Sequence, residues 1–262
     1  MTEFKWQLIF LAFLFFNQRN IEARTDCKRN QDHAFPKQFP YQVYIDIFKD
    51  YNLKKIPSCA GVIISNRRIL TTARCIPKNL DFITIYLGAV DIKNEMEMGK
   101  QLLYVREKNI VVHPEWDPDQ NINNIALIKL PADLQFDEYV QPIQLPDPDK
   151  SYDYDIGVFS AYGSSNDQLM YSNVTILSNE ECKTIELKNN PGGFFPSSWI
   201  CLKSIGCGKC SGDSGGPLAI RHEDGNSILL GLKSAVSDDS CSVNEPRFLT
   251  RISSYLQWIN EN

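Results

Sequence analysis

Cys210-Ser-Gly-Asp-Ser-Gly-Gly-Pro-Leu218 is the most informative stretch of this 262-residue chain. Its glycines permit a tight turn whose backbone N–H groups converge on one point, as the stabilisation of an oxyanion requires. Ser214 stands at the apex of that turn as a candidate nucleophile. Outward from the turn, the chain reads as short β-type runs separated by turn signals. Gln42–Phe48, Gly61–Ser65, Arg68–Thr72 and Phe82–Leu87 are such runs, and so are Gln101–Arg106, Ile125–Leu130, Asp155–Ala161 and Ser227–Leu232. Val, Ile, Thr and aromatic residues at this spacing predict an all-β sandwich or barrel. Two segments predict helix: Ser178 to Leu187, opened by a Ser-Asn-Glu-Glu capping pattern, and Ser253 to Asn260 at the end. The proline-rich run Gln141–Asp149 reads as a linker crossing between two β halves of similar size.

Composition narrows the class. Apolar residues make up 43% of the chain and charged residues 23%, without low complexity or repeats, so a packed domain is expected rather than disorder. A net charge of −5 argues against nucleic acid or an anionic membrane as partner, and the short pairs Lys54-Lys55 and Arg67-Arg68 read as solvated surface. Near the N-terminus, Lys5 precedes the apolar run Leu8–Phe16, and Ala23 follows at the reach of a cleavage site. A run of about nine residues is too short for a bilayer core of roughly 30 Å, which takes about 20. Residues 1–23 are therefore expected to be a secretory signal peptide, with the protein exported to an extracellular space. An oxidising compartment in turn lets the 8 cysteines pair. Asn173-Val174-Thr175 is a usable glycosylation sequon.

The full octapeptide with its cysteine resembles the chymotrypsin/trypsin family of serine proteases, and the resemblance runs through the rest of the chain. Ala34 to Val43 is similar to the family's opening strand. Cys59-Ala-Gly-Val-Ile-Ile-Ser through Leu70-Thr-Thr-Ala-Arg-Cys75 resembles the segment that carries the catalytic histidine between two bonded cysteines. Val112-His-Pro-Glu-Trp116 and Asn124-Ile-Ala-Leu-Ile-Lys-Leu130 resemble the segment carrying the catalytic aspartate, and Tyr255-Leu-Gln-Trp-Ile259 the C-terminal helix. The implied fold is two antiparallel six-stranded Greek-key β-barrels, about 34–140 and 150–252, with a short C-terminal helix. Residues 24–33 then replace the activation site that precedes the 34–262 protease-homology domain.

The departures from the family decide the expected function. Its histidine falls on Arg74 and its aspartate on Asn124, while Ser214 remains. The mechanism needs a neutral imidazole to take the serine's proton and return it to the leaving group. A guanidinium stays protonated and offers donors but no acceptor, so it cannot be that base. Of the three histidines, His33 precedes the first strand, His113 matches a structural position and His222 lies beyond the serine strand, so none is expected to reach Ser214. Gly212 and Ser214 would be the remnant of the oxyanion hole. The specificity pocket is altered as well. Gly208 stands at its base, Ala235 replaces an aromatic, and Val236 and Arg247 stand where pocket-wall glycines are usual. Cys27 and Lys28-Arg29 occupy the activation position, so cleavage there would not release the Ile-Val terminus that normally pairs with Asp213. Ser214 is accordingly expected to survive as part of a tightly specified turn.

By the same resemblance, Cys59–Cys75, Cys182–Cys201 and Cys210–Cys241 are expected disulfides. Cys27 and Cys207 remain, either bonded to each other, pinning the N-terminus beside the former pocket, or as two free thiols. Cys207 and Cys210 form half of a zinc-type pattern without a second half, so no metal and no cofactor are expected. Non-catalytic members of the family, common in insects, act through surface loops as cofactors, decoys or adaptors in haemolymph, clotting or reproductive fluids. The expectation is a pseudo-protease of that kind, whose partners are extracellular proteins such as an active serine protease or its substrate. The alternative is a serine endopeptidase with unorthodox or residual activity through Ser214.

Overall fold

Proline and apolar alternation set where the strands begin and which way they face. A computed structural model describes residues 32–49, 54–162, 168–189, 191–203, 214–222, 225–234 and 247–262 of the chain. In chain order the strands are β1 (Asp32–His33), β2 (Gln42–Lys49), β3 (Lys54–Ser65), β4 (Arg68–Thr71), β5 (Leu80–Leu87), β6 (Gln101–Arg106), β7 (Ile110–Val112) and β8 (Ala126–Lys129). A second group follows: β9 (Ile156–Tyr162), β10 (Leu169–Leu177), β11 (Trp199–Leu202), β12 (Pro217–Arg221), β13 (Ser227–Lys233) and β14 (Arg247–Arg251). The opening strand, expected from Ala34, begins only at Gln42. Pro36 and Pro40 lack the N–H that a ladder needs, and Lys37 sits at φ 73°, so the chain turns there instead.

The first sheet runs β6-β5-β2-β3-β4-β8-β7, antiparallel throughout. Its two edges, β6 and β7, are consecutive in sequence and separated by a single 3-10 turn at Glu107–Asn109. One bent run of chain thus reaches from one edge of the curled sheet to the other, and the six strands of the expected barrel become seven ladder segments. Val43, Ile45, Ile47, Ile63, Ile69, Ile83, Ile85 and Leu87 fill its interior. The second sheet closes by hydrogen bonds in the order β9-β10-β11-β14-β13-β12 and back to β9, with β1 added outside β10. Val174, Ile176, Ile200, Leu218, Leu230 and Leu249 fill it.

A third apolar layer joins the halves. Tyr41, Val62, Leu70, Ile125 and Leu127 of the first half meet Leu229, Leu232, Ile252 and Ile259 of the second. Within this seam a buried Ser160 Oγ donates to Gln42 Oε1 at 2.5 Å, tying β9 to β2. The linker serves both halves: Ile143 N–H donates to Ile63 O, and Gln144 exchanges backbone bonds with Ser227 and Leu229.

Two helices complete the fold. In α1 (Asn179–Asn189), Ser178 Oγ accepts the N–H of Glu181 at 3.1 Å, which is the capping that the Ser-Asn-Glu-Glu pattern predicts. The closing helix α2 (Leu256–Glu261) follows a 3-10 turn, and Arg68 Nη1 caps it by donating to Ile259 O. Among the described residues no helix is long and apolar enough to cross a membrane. Cys182 of α1 is bonded to Cys201 of β11 with Cα atoms 6.4 Å apart, and both are fully buried. Replacing both by Ala is expected to cost about 3 kcal/mol for a loop of this size, read from urea denaturation.

Candidate active site

The site forms where the ends of β4 and β13 meet the turn that carries Ser214. After Thr71 the chain leaves the sheet and winds into a 3-10 turn, Ala73–Cys75, because Cys75 is bonded to Cys59 on the neighbouring β3 with Cα atoms 6.1 Å apart. Backbone bonds from Cys75 N to Thr72 O and from Ile76 N to Ala73 O close the turn. It buries Thr72, Ala73 and Cys75 and leaves the Arg74 side chain exposed.

Arg74 and Asn124 meet through the backbone of one and the side chain of the other. Arg74 N–H donates to Asn124 Oδ1 at 3.0 Å. Asn124 is 1% exposed, and its Nδ2 donates to Asn121 Oδ1 at 3.0 Å and Ser234 Oγ at 2.7 Å. Asn121 and Ser234 are bonded to each other as well, and Thr250 Oγ1 donates to Asn124 O. Every polar atom of the Asn124 side chain is therefore satisfied by neutral partners. The segment arrives in this geometry because Asn121 and Asn123 adopt left-handed φ values of 54° and 55°, which asparagine tolerates better than most residues. Trp199 Nε1 donates to Asn121 O and Tyr255 Oη to Asn123 Oδ1, fixing both asparagines from the second half.

Ser214 is half-buried, and its turn is sewn to both halves. Its carbonyl accepts Ala60 N–H of β3 at 2.8 Å, while Gly215 N–H donates to Lys233 O and Lys233 N–H to Gly216 O. Gly215 has φ 91°, and a Cβ there would lie 2.1 Å from Ala60 O, so only glycine fits. The Ser214 hydroxyl lies 3.0 Å from Thr72 Oγ1, which in turn lies 3.2 Å from Cys75 Sγ. A disulfide sulfur carries no proton and can only accept, whereas either hydroxyl can donate in the Thr72–Ser214 pair. The group hydrogen-bonded to the Ser214 hydroxyl is thus a second hydroxyl.

Among the described residues no imidazole is hydrogen-bonded to Ser214. His33 lies in β1 against Met170, and His222 lies in the turn after β12. His113 packs its ring on Tyr255 and Trp258, and its Nδ1 accepts Glu115 N–H at 3.2 Å. No three side chains of His, Cys, Asp or Glu converge as a metal site among the described residues. Gly208, Gly212, Asp213, Ala235 and Val236 lie outside the described residues, as do Cys27, Cys207, Cys210 and Cys241. Arg247 opens β14 opposite Leu202. Asn173 is exposed in β10, while Val174 of its sequon is buried and Thr175 is partly exposed. Sequence reasoning did not single out Thr72, Asn121, Ser234 or Thr250. Repeated asparagines at 121, 123 and 124 were the available signal for left-handed backbone beside the site.

Three comparisons with known proteins bear on this site. The family profile described as Trypsin matches residues 28–259. The chain is 31% identical to a collagenase of Hypoderma lineatum over 242 residues, covering 89% of this chain and 86% of that protein. It is 29% identical to chymotrypsin-C of Bos taurus, covering 93% of this chain and 90% of that protein. Among solved structures, that of HL collagenase superposes with a TM-score of 0.75 at 30% identity, covering 89% of this chain and 97% of the other.

Two measurements test the geometry. A double-mutant cycle of Thr72→Val and Ser214→Ala is expected to give a coupling of about 0.5–1.5 kcal/mol in folding stability, as for one internal hydrogen bond. Additive losses would mean that the hydroxyls do not interact. Burial lowers the pKa of His113 below its ordinary 6.5, against the opposing pull of Glu115. The unfolded chain therefore binds that proton more readily, and the stability from neutral His113 is lost as pH falls below about 6.5. An NMR titration of the ring checks this.

Proposed function

This chain belongs to the trypsin family of serine proteases, and from that membership we propose that it is a secreted, catalytically inactive member that acts by binding other extracellular proteins. The observation that carries the reading is the Arg74–Asn124 hydrogen bond. Where the family holds an imidazole oriented by a carboxylate, this chain holds a main-chain N–H bonded to a neutral amide, with the guanidinium turned to solvent. A guanidinium has no lone pair to accept the serine proton, and no histidine takes its place at Ser214. The Thr72 hydroxyl beside Ser214 is far too weak a base at neutral pH to act as the missing member.

The relatives are named for proteolysis, and this chain keeps part of what such a protein needs. It has the two-barrel scaffold, the serine turn stitched to both halves, and two of the family's disulfides. A rigid scaffold with surface loops suits a cofactor, decoy or adaptor, with an active serine protease or its substrate as the partner. The apolar run at Leu8–Phe16 and the buried disulfides support export to an extracellular space, and the exposed Asn173 supports glycan attachment there.

A fluorophosphonate probe, which requires an activated serine, separates this reading from an endopeptidase working through Ser214. The full-length secreted protein is expected to remain unlabelled under conditions that label chymotrypsin to completion. Labelling that disappears in Ser214→Ala would establish the enzyme instead.

A further inference from the structure

The linker between the two halves runs out into an acidic surface segment far in sequence from Ser214. From Asp147 to Ile156 the chain reads Asp-Pro-Asp-Lys-Ser-Tyr-Asp-Tyr-Asp-Ile, and every residue of it except Tyr152 is exposed. Asp147, Asp149, Asp153 and Asp155 bring carboxylates to this run, and Lys150 is its one cation, drawn over the Tyr152 ring at 5.3 Å.

The two tyrosines are held in opposite ways. Tyr152 is 7% exposed, belongs to the apolar core of the second half with Val174 and Ile176, and its Oη accepts Asp147 N–H at 3.3 Å. Tyr154 is 62% exposed, and its Oη reaches Ser178 Oγ at 3.4 Å, longer than an ordinary bond between hydroxyls and readily given up. Its backbone is fixed instead: Tyr154 N–H donates to Ile176 O at 2.9 Å, and Ile176 N–H donates to Asp155 O at 3.1 Å. Tyr154 also sits at a left-handed φ of 66°, which glycine or asparagine takes with less strain. Neither the turn nor the core therefore calls for a tyrosine at this position. What the residue offers is an accessible phenol on a fixed backbone, with an aspartate on each side.

We propose that Tyr154 is a site of O-sulfation, with Asp153 and Asp155 as the element that a sulfotransferase recognises. Carboxylates beside the acceptor steer it into a cationic cleft and set its register there, which an unflanked tyrosine cannot do. The proposal rests on the secreted reading above, because the enzymes that sulfate protein tyrosines work in the secretory pathway. The donor is a sulfonucleotide. Its sulfuryl group passes to Tyr154 Oη as the S–O bond to the donor's phosphate breaks and the Oη–S bond forms. The phosphate leaves with the electrons of the broken bond, and the phenolic proton goes to a base of the transferase. The product places a permanent negative charge on the surface, with oxygens able to accept paired N–H donors from an arginine of a partner.

The test expresses the full chain in cultured animal cells fed radiolabelled sulfate and recovers the protein from the medium. Alkaline hydrolysis and chromatography separate sulfotyrosine from sulfated sugars of a glycan on Asn173. Label is expected in sulfotyrosine, and peptide fragmentation is expected to place the ester on Tyr154 rather than Tyr152. Tyr154→Phe should abolish it. The double variant Asp153→Asn, Asp155→Asn should lower it several-fold, with secretion and thermal denaturation unchanged because these side chains are exposed. Secreted protein without sulfotyrosine, an ester on Tyr152, or label that survives Tyr154→Phe would overturn the proposal. So would undiminished labelling of the double variant, or an ester at Tyr154 that a phosphatase removes. Failure of the protein to reach the medium would overturn the secreted reading, and sulfation with it.

Discussion

The backbone stitching of the Ser214 turn is the constraint on which the rest of the site depends. Ala60 of one half donates to the Ser214 carbonyl, and Lys233 of the other pairs with Gly215 and Gly216. The contact is close enough that Gly215 must lack a Cβ, because Ala60 O would lie 2.1 Å from it. A turn held in this way aligns the two halves as well as the hydroxyl at its apex. That gives a reason for the glycines around Ser214 to persist whether or not the serine reacts. Retention of the motif is thus weak support for catalysis, since the same residues are required by packing.

The chemistry around the hydroxyl has been rebuilt coherently. Loss of the base alone would leave a buried carboxylate at position 124 without an imidazolium to stabilise, and an isolated buried charge is costly. Asparagine removes the charge while keeping the shape. Its oxygen still accepts the N–H of residue 74, and its nitrogen finds Asn121 and Ser234. Buried polar networks stabilise only when every member is satisfied, and this one is. The Thr72 hydroxyl extends the same pattern of neutral hydrogen bonding to Ser214. Together these contacts link Arg74, Asn124, Asn121 and Ser234, and Thr72 with Ser214, through hydrogen bonds between neutral groups.

The Ser214 turn is bonded to both halves, and the Arg74 side chain is exposed in a chain of net charge −5. Charge of the opposite sign on a partner speeds encounter and fixes register more than it adds affinity. Loops can then supply most of the contact area, as they do in proteins whose scaffold is rigid and whose function varies.

Much of this was legible in the residues. The strand runs of β2, β4, β5, β6, β9 and β13 and the Ser178 cap follow from local pattern, and residue chemistry alone singled out Arg74 and Asn124. Other features needed the fold. The late start of β2 depends on how Pro36 and Pro40 turn the chain, and the broken edge β6–β7 depends on how a curled sheet brings its two ends together. The Asn121–Asn124–Ser234 triangle and the Thr72–Ser214 contact join residues separated by 110 to 142 positions in sequence. Local sequence determines which groups can donate, accept or carry charge, because that chemistry resides in single side chains. Only the tertiary structure decides which of them meet, because a hydrogen bond depends on ångström-scale distance and angle, and these are set by how two separately folded halves pack across their seam.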